Sequence, residues 1–184
     1  STEVQPEDMP DMRDKALKWV DYLKDYLRPD KWQKLRGLVE AVPVNHHMIH
    51  GDYHVKNVML QNGEALLIDM DTLCQGDPIF EFSGIFNAYR GYYALDPNGC
   101  IDFLGMTPEV TEKMLEKTIH LYFGTEDDVR LQPIWDKIAL IGYTRLMRHF
   151  IQRGALETES GRKANAYYEE QINTLLERVE SLQF

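Results

Sequence analysis

The side chains best suited to chemistry occur in one stretch of the chain. It begins with His50-Gly51-Asp52-Tyr53-His54-Val55-Lys56-Asn57 and ends with Ile68-Asp69-Met70-Asp71. Carboxylate and amide oxygens are the protein ligands that Mg²⁺ prefers, and Mg²⁺ completes its coordination with water and phosphate oxygens. The stretch therefore predicts a magnesium–phosphate site with a further carboxylate beside it.

A β-hairpin is expected to bring these side chains together. Two short apolar runs flank Asn62-Gly63, a dipeptide that favours the positive φ angles of a two-residue type I′ turn. Asn57 enters the first strand and Asp69 follows the second, so the turn should place them near one another. Asp52 lies on the loop that feeds the first strand. We therefore expect Asp52, Asn57 and Asp69 to converge at the open end of the hairpin, with His50 and His54 beside them.

This spacing resembles a known pattern. His-x-Asp-x-x-x-x-Asn, followed by an Asp across a hairpin, is similar to the catalytic loop and metal-binding Asp of protein-kinase-like phosphotransferases. Gly51 stands where protein kinases carry Arg, and Gly76-Asp77-Pro78 follows the hairpin. In these features the chain resembles the aminoglycoside phosphotransferase and choline kinase branch.

The resemblance implies an ATP-dependent phosphotransferase that acts on a hydroxyl of a small molecule. Asp52 would accept or orient the hydroxyl proton. Asn57 and Asp69 would hold Mg²⁺ bridging the phosphates of ATP or another nucleoside triphosphate, with Asp71 as an auxiliary ligand. His50 would orient the loop, and His54 would approach the transferred phosphate.

Further roles are suggested for residues that follow the hairpin in the sequence. An Asp at the position of Asp77 braces the catalytic loop by hydrogen bonding in the resembled family, and Asp77 should also cap a helix. The family often has an Asp four residues later, where this chain has Glu81, whose role stays open. Arg145, Arg148 and Arg153 could face phosphate, although a solvated or ion-paired face is the commoner explanation for such a group.

The rest of the chain predicts the elements that hold this site. Helical periodicity indicates about six helices, and a short strand is possible at Met48-Ile49. The expected fold class is α+β and predominantly helical, and the resemblance implies the C-terminal lobe of a protein-kinase-like fold. Residues 1–10 are expected to be a frayed lead-in to one domain over residues 1–184. The predicted helices run from Asp11 to Pro29, from Asp30 to Val42-Pro43, from Asp77-Pro78 onwards, from Thr107-Pro108 to Gly124, from near Pro133 to Arg153, and from Ser160 onwards.

The composition of the chain limits the classes of partner that it can bind. A net charge of −10 over 184 residues argues against nucleic acid, which is bound mainly through Lys and Arg, and would attract a cationic small substrate. No apolar run reaches the roughly 20 residues of a membrane helix. Cys74 and Cys100 show no metal or redox spacing, which fits a reducing, cytoplasmic setting.

A nucleotide-binding lobe is not recognisable in this sequence. Its 12 glycines are scattered, no G-x-G-x-x-G occurs, and the residues before His50 have helical periodicity. A strand-rich nucleotide lobe needs more chain than that. We therefore expect the chain to be the catalytic lobe of a longer phosphotransferase. The lobe alone is expected to be inactive.

Two other functions fit parts of the pattern. His50, Asp52, His54 and Asp69 could form the centre of a metal-dependent phosphohydrolase, because His-x-Asp-x-His is also typical of metal ligands. A degenerate kinase lobe acting as a binding module is the other alternative. The sequence does not identify the acceptor.

Overall fold

A computed structural model describes residues 9–184 of the chain. Its helices are α1 (Met12–Tyr22), α2 (Pro29–Glu40), α3 (Pro78–Tyr89), α4 (Gly99–Leu104), α5 (Pro108–Phe123), α6 (Asp128–Gln152) and α7 (Glu159–Leu176). Its strands are β1 (Met48–Ile49), β2 (Val58–Gln61), β3 (Glu64–Leu67) and β4 (Cys74–Gln75). The structure is thus α+β and mostly helical, as predicted.

The helix-start signals in the sequence act as expected at several positions. Asp11 and Asp77 accept hydrogen bonds from main-chain amides in the first turns of α1 and α3. Thr107 precedes α5, Pro108 occupies its first position, and Gly124 ends it with a φ of 64°. Asp11, Asp77, Pro108 and Gly124 each satisfy or remove a main-chain group that the end of a helix leaves without a partner, whereas the Thr107 side chain makes no capping hydrogen bond.

Some predicted boundaries were wrong. α1 ends at Tyr22 instead of continuing to Pro29, and Pro29 begins α2. α6 begins at Asp128 instead of near Pro133, because the Asp127 side chain accepts hydrogen bonds from the amides of residues 129 and 130 and Pro133 lies inside the helix. α4 was not predicted.

A frayed N-terminal segment was predicted for residues 1–10, of which residues 1–8 lie outside the described residues. Met9 and Pro10 are described, and they are not frayed: the main-chain amide of Gln75 donates to Pro10 O, and its side-chain amide donates to Met9 O. Asp11 also forms an isolated β-bridge with Gln75.

Two antiparallel strand pairs flank residues 50–57, which we call the catalytic loop after the role predicted for it. β2 pairs with β3 in the predicted hairpin, with Gln61 opposite Glu64. Asn62 and Gly63 have φ angles of 53° and 84°, as a type I′ turn requires. β1 pairs with β4, so the chain enters the loop and returns from the hairpin side by side.

α6 packs between α3 and α7 and forms the centre of the apolar core. Ile138, Leu140, Ile141 and Leu146 of this helix are all essentially inaccessible to water. Each fully buried aliphatic side chain contributes about 1.5–3 kcal/mol to folding. The rigid base under the loop therefore comes from α3 and α6. No helix within residues 9–184 is long and apolar enough to cross a bilayer.

Candidate active site

The catalytic loop lies between β1 and β2 and turns sharply at Gly51. Gly51 has a φ of +78°, a conformation that favours glycine. A Cβ atom at this position would lie 2.8 Å from Thr72 O. The turn also places the His50 carbonyl within 2.7 Å of the Thr72 hydroxyl, which donates to it. The Gly51 conformation is therefore built into the loop by its surroundings.

Side chains from two helices bind both main-chain polar groups of Gly51. Its amide donates to Glu81 Oε2 of α3 at 2.8 Å, and its carbonyl accepts from Arg145 Nη1 of α6 at 3.0 Å. Burial raises the pKa of the Glu81 carboxyl, against the opposing effect of the Gly51 amide. Asp77 caps α3 through the amide of Ile79. The contact with the loop that the family resemblance suggested for Asp77 is thus made by Glu81.

His50 links the loop to the open end of the hairpin. Its Nε2 lies 3.0 Å from the carbonyl of Ile68, and its Nδ1 accepts from the Asp52 amide at 3.4 Å. A carbonyl oxygen can only accept, so Nε2 carries the proton and both ring nitrogens are engaged. His50 is buried. It therefore holds Asp52 and the residue before Asp69 in one arrangement.

Asn57 makes a second link between the same elements. Its side-chain amide donates to the Asp52 carbonyl at 3.0 Å, and its own carbonyl accepts from the amide of Ile68 at 3.0 Å. Within residues 9–184, Asn57 Oδ1 has no hydrogen-bond partner. The amide oxygen thus stays available although the residue is buried.

Asp69 and Asp71 follow the hairpin at the edge of the site. Asp69 adopts a left-handed main-chain conformation, with φ 59° and ψ 60°. Both side chains are exposed, and neither carboxylate has a partner among the described residues. Together with Asn57 Oδ1 they supply hard oxygen atoms of the kind that Mg²⁺ takes, with the remaining positions left for water and phosphate.

His54 is buried next to the Asp52 carboxylate. Its Nε2 lies 3.7 Å from Asp52 Oδ2, while its Nδ1 is buried without a hydrogen-bond partner in the described chain. The ring packs edge-on against Phe103, with centroids 5.4 Å apart. Asp52 itself is partly exposed, so its carboxylate is accessible from outside.

A cavity of about 490 Å³ opens beside Asp52 and His54. α3 contributes Gly84, Asn87 and Ala88, and α6 contributes Arg145. The segment between α3 and α5 closes the other wall with Tyr92, Tyr93, Asp96, Gly99 and Phe103. The volume falls in the range of small-molecule sites, and it is reached directly by the Asp52 carboxylate.

The predicted four-residue metal centre of a phosphohydrolase does not fit this geometry. Within residues 9–184, no group of three or more His, Cys, Asp or Glu residues is placed to hold a metal ion. Both nitrogens of His50 are already used in hydrogen bonds, so His50 has no lone pair to offer. The oxygen set of Asn57, Asp69 and Asp71 is the better candidate for a metal.

Glu81 and Arg145 are the residues whose contacts the sequence did not indicate. Glu81 lies 30 positions from Gly51, and Arg145 lies 94 positions from it. Glu81 could have been suspected as a replacement for the family's second Asp. Arg145 carried no such signal, because only the packing of α6 brings it to the loop.

The fold and this site define a helical protein with a loop-and-hairpin centre suited to phosphate chemistry. The family model of the phosphotransferase enzyme family matches residues 3–98, just over half of the 184 residues. The chain therefore belongs to the phosphotransferase enzyme family. Neither the comparison with curated proteins nor the comparison with solved structures finds a match.

Proposed function

We propose that this chain is the catalytic lobe of an ATP-dependent phosphotransferase that phosphorylates a hydroxyl of a small molecule. One observation carries the proposal. His50 and Asn57 tie the Asp52 loop to the end of the hairpin, while Asn57 Oδ1 and the Asp69 carboxylate have no hydrogen-bond or ion-pair partner among residues 9–184. This is the division that phosphoryl transfer needs, with fixed positions and open oxygen ligands.

The residues have separate roles in this proposal. Asn57 and Asp69, with Asp71 as an auxiliary ligand, would hold a Mg²⁺ ion, which when bound neutralises charge on the nucleotide phosphates. Asp52 accepts the proton of the acceptor hydroxyl. As it does so, the hydroxyl oxygen bonds to the γ-phosphorus, and the bond between the γ-phosphorus and the bridging oxygen of the β-phosphate breaks. His54, beside Asp52, would approach the transferred group. The products are a phosphate monoester and the nucleoside diphosphate.

The proposal includes a protein-kinase-like lobe arrangement, in which a separate nucleotide-binding lobe supplies the adenine contacts. The exposed apolar side chains of the hairpin support contact with such a lobe. Leu60 is 77% exposed, and Met59, Leu67 and Ile68 are also exposed on the same element. An apolar hairpin of this kind gains stability when another surface removes it from water.

The acceptor would be small enough for the cavity beside Asp52. A net charge of −10 favours the approach of a cationic compound at long range. Within the cavity, the local groups decide which compound is held. A hydroxyl placed against Asp52 is the common requirement for any acceptor.

The test is a pair of substitutions in the full-length protein. Asp52→Asn should lower phosphate transfer by about 10²–10⁴-fold with nucleotide affinity nearly unchanged, because the amide cannot accept the hydroxyl proton. Asp69→Ala should lose transfer and also the Mg²⁺-dependent part of nucleotide binding. Transfer is measured against a panel of hydroxyl compounds, and nucleotide binding is measured by calorimetry.

Asp25→Asn serves as the matched control, because Asp25 is exposed and has no partner in the described chain. Equal loss of nucleotide binding in the Asp52 and Asp69 variants would contradict the assigned roles. Nucleotide binding without transfer to any hydroxyl compound would instead favour the binding-module alternative.

A further inference from the structure

Most arginines that the structure places near carboxylates are ion-paired. Such pairs join Arg28 to Asp30, Arg36 to Asp21 and Glu40, Arg90 to Glu112, and Arg178 to Asp136. Six arginines have no carboxylate partner within residues 9–184, and three of these, Arg145, Arg148 and Arg153, lie together at the C-terminal end of α6. The chain has 30 acidic residues and 20 basic ones, yet the guanidinium groups of these three arginines are not neutralised by a carboxylate and can bind an anion.

Arg145 is fixed at the wall of the cavity beside Asp52. Its Nη1 donates to Gly51 O, and its guanidinium carbon lies 5.4 Å from the centre of the Trp19 ring. A guanidinium carries five N–H donors, and the Gly51 contact uses one. The side chain is therefore held in place with donors to spare, an arrangement that suits binding of a planar or tetrahedral oxyanion.

Arg148 and Arg153 add positive charge next to Arg145. Arg148 lies over the same Trp19 ring at 5.7 Å, and its Nε is buried without a partner in the described chain. Burial raises the pKa of Tyr92, and all three arginines act against that rise while the Asp52 carboxylate adds to it, so charge of both signs reaches this residue of the cavity wall. Burial together with the same arginines lowers the pKa of His149. The three arginines thus concentrate positive charge on the α6 side of the cavity.

The opposite wall has a different character. Asp96 comes from the turn before α4, is exposed, and has no side-chain partner among the described residues. Asp52 and Asp96 are the carboxylates that line the cavity, and Arg145 is its cationic residue. The α6 side therefore offers the place for negative charge, and the Asp52 side offers the place for a hydroxyl.

We propose that the acceptor of this phosphotransferase carries an anionic group, a carboxylate or a phosphate, which binds Arg145 while its hydroxyl faces Asp52. This proposal rests on the proposed function for the identity of the cavity as the acceptor site. It makes Arg145 a residue that determines specificity, in addition to positioning Gly51. The contacts inside the cavity would then select an anionic acceptor, although the net charge of the chain attracts cations at long range.

Calorimetric titration of the full-length protein with four related compounds tests the inference. Glycerol, glycerate, glycerol phosphate and aminopropanediol share a hydroxylated three-carbon frame and differ in charge. Glycerate or glycerol phosphate should bind at least about tenfold tighter than glycerol, because charge-assisted hydrogen bonds to Arg145 replace neutral ones. The tighter of the two identifies the anion. Binding that is no tighter than that of glycerol, or strongest for aminopropanediol, would overturn the inference.

Variants locate the effect. Arg145→Lys should remove most of the anionic advantage, and the double variant Arg148→Gln/Arg153→Gln should reduce it. Arg130→Gln, on an exposed residue of the same helix, should leave it unchanged. If thermal melting shows that Arg145→Lys does not fold, the double variant carries the test. An unchanged anionic advantage in the double variant would overturn the inference in that case.

Phosphate-transfer assays with the same compounds, read beside the titrations, separate this inference from the proposed function. Anion binding without phosphate transfer to any hydroxyl compound would contradict the proposed function and leave the anion site standing. Transfer to glycerol or aminopropanediol without preference for the anionic compounds would support the proposed function and overturn the anion site.

Discussion

The catalytic loop and the hairpin beside it are held in opposite ways. In the loop, Gly51 has both main-chain polar groups bound by side chains from distant helices. In the hairpin, no residue of β2 or β3 is buried. The nucleophile side of the proposed reaction is thus fixed by the fold, whereas the metal side depends on a turn and a few links to the loop. Packing determines the first, and bound ligands can still adjust the second.

The largest difference between the loop and the hairpin is expected when alanine replaces a glycine in each. Gly51→Ala should lower the free energy of unfolding by about 2–4 kcal/mol, because the φ of +78° is unfavourable for alanine and the new Cβ would meet Thr72 O. Gly63→Ala is the matched control on the hairpin. Gly63 has a φ of +84° but open space around it, so only about 1 kcal/mol of strain is expected. Chemical denaturation measures both, and equal losses would show that the loop is no more tightly packed than the turn.

A smaller effect is expected from the bracing carboxylate. Glu81→Ala should cost about 1–3 kcal/mol in the free energy of unfolding, because the buried Gly51 amide loses its acceptor. Glu81→Gln should cost less, since its amide oxygen can still accept. Chemical denaturation of both variants is the measurement. A Glu81→Ala variant as stable as Glu81→Gln would mean that the contact contributes little.

The pH dependence of the Glu81→Gln variant sharpens the same point. Burial raises the pKa of Glu81 above its ordinary value of 4.5, so the folded state binds this proton more strongly than the unfolded state does. The stabilisation from this proton is fully present below pH 4.5 and is lost as the pH rises through the folded pKa. Gln cannot titrate. The stability of Glu81→Gln relative to the natural protein should therefore improve as the pH rises from 4.5. A difference that is constant with pH would contradict the raised pKa.

The smallest effect is expected on the hairpin. Leu60→Ser should change the free energy of unfolding of this chain by no more than about 0.5 kcal/mol, because Leu60 is 77% exposed. Leu146→Ala, in the core of α6 with 0% exposure, should cost about 2–5 kcal/mol in the same denaturation experiment. A large loss for Leu60→Ser would mean that the hairpin is covered in solution.

Local signals in the sequence predicted the elements whose ends carry them. Asn62-Gly63 requires positive φ angles and gave the hairpin turn, and Asp77-Pro78 gave the start of α3. The predicted start of α6 near Pro133 was wrong, because this proline lies inside the helix. The Asp127 cap lies six residues earlier and decides the boundary. Thus a cap that satisfies main-chain amides outweighed the preference of proline for the first turn.

Long-range contacts were beyond the reach of the sequence. The grouping of Asp52, Asn57 and the end of the hairpin rests on a short chain segment, so its outline could be predicted from spacing. The contact between Arg145 and Gly51 could not, because no local pattern specifies which face of α6 meets the loop. The proposed roles of the Asp52 and Asp69 carboxylates are the ones that the Asp52→Asn and Asp69→Ala variants test.

The distance along the chain between Gly51 and Arg145 has a consequence for how the protein is made. The hairpin can form soon after its own residues leave the ribosome, but the loop must wait for the 94 further positions that carry Arg145. At about 5–20 residues per second, that interval lasts roughly 5–20 s. During synthesis, the residues proposed to bind Mg²⁺ are therefore presented before the loop beside them is fixed in place. A nascent chain halted before α6 should expose its catalytic loop to proteases that cannot cut the finished protein.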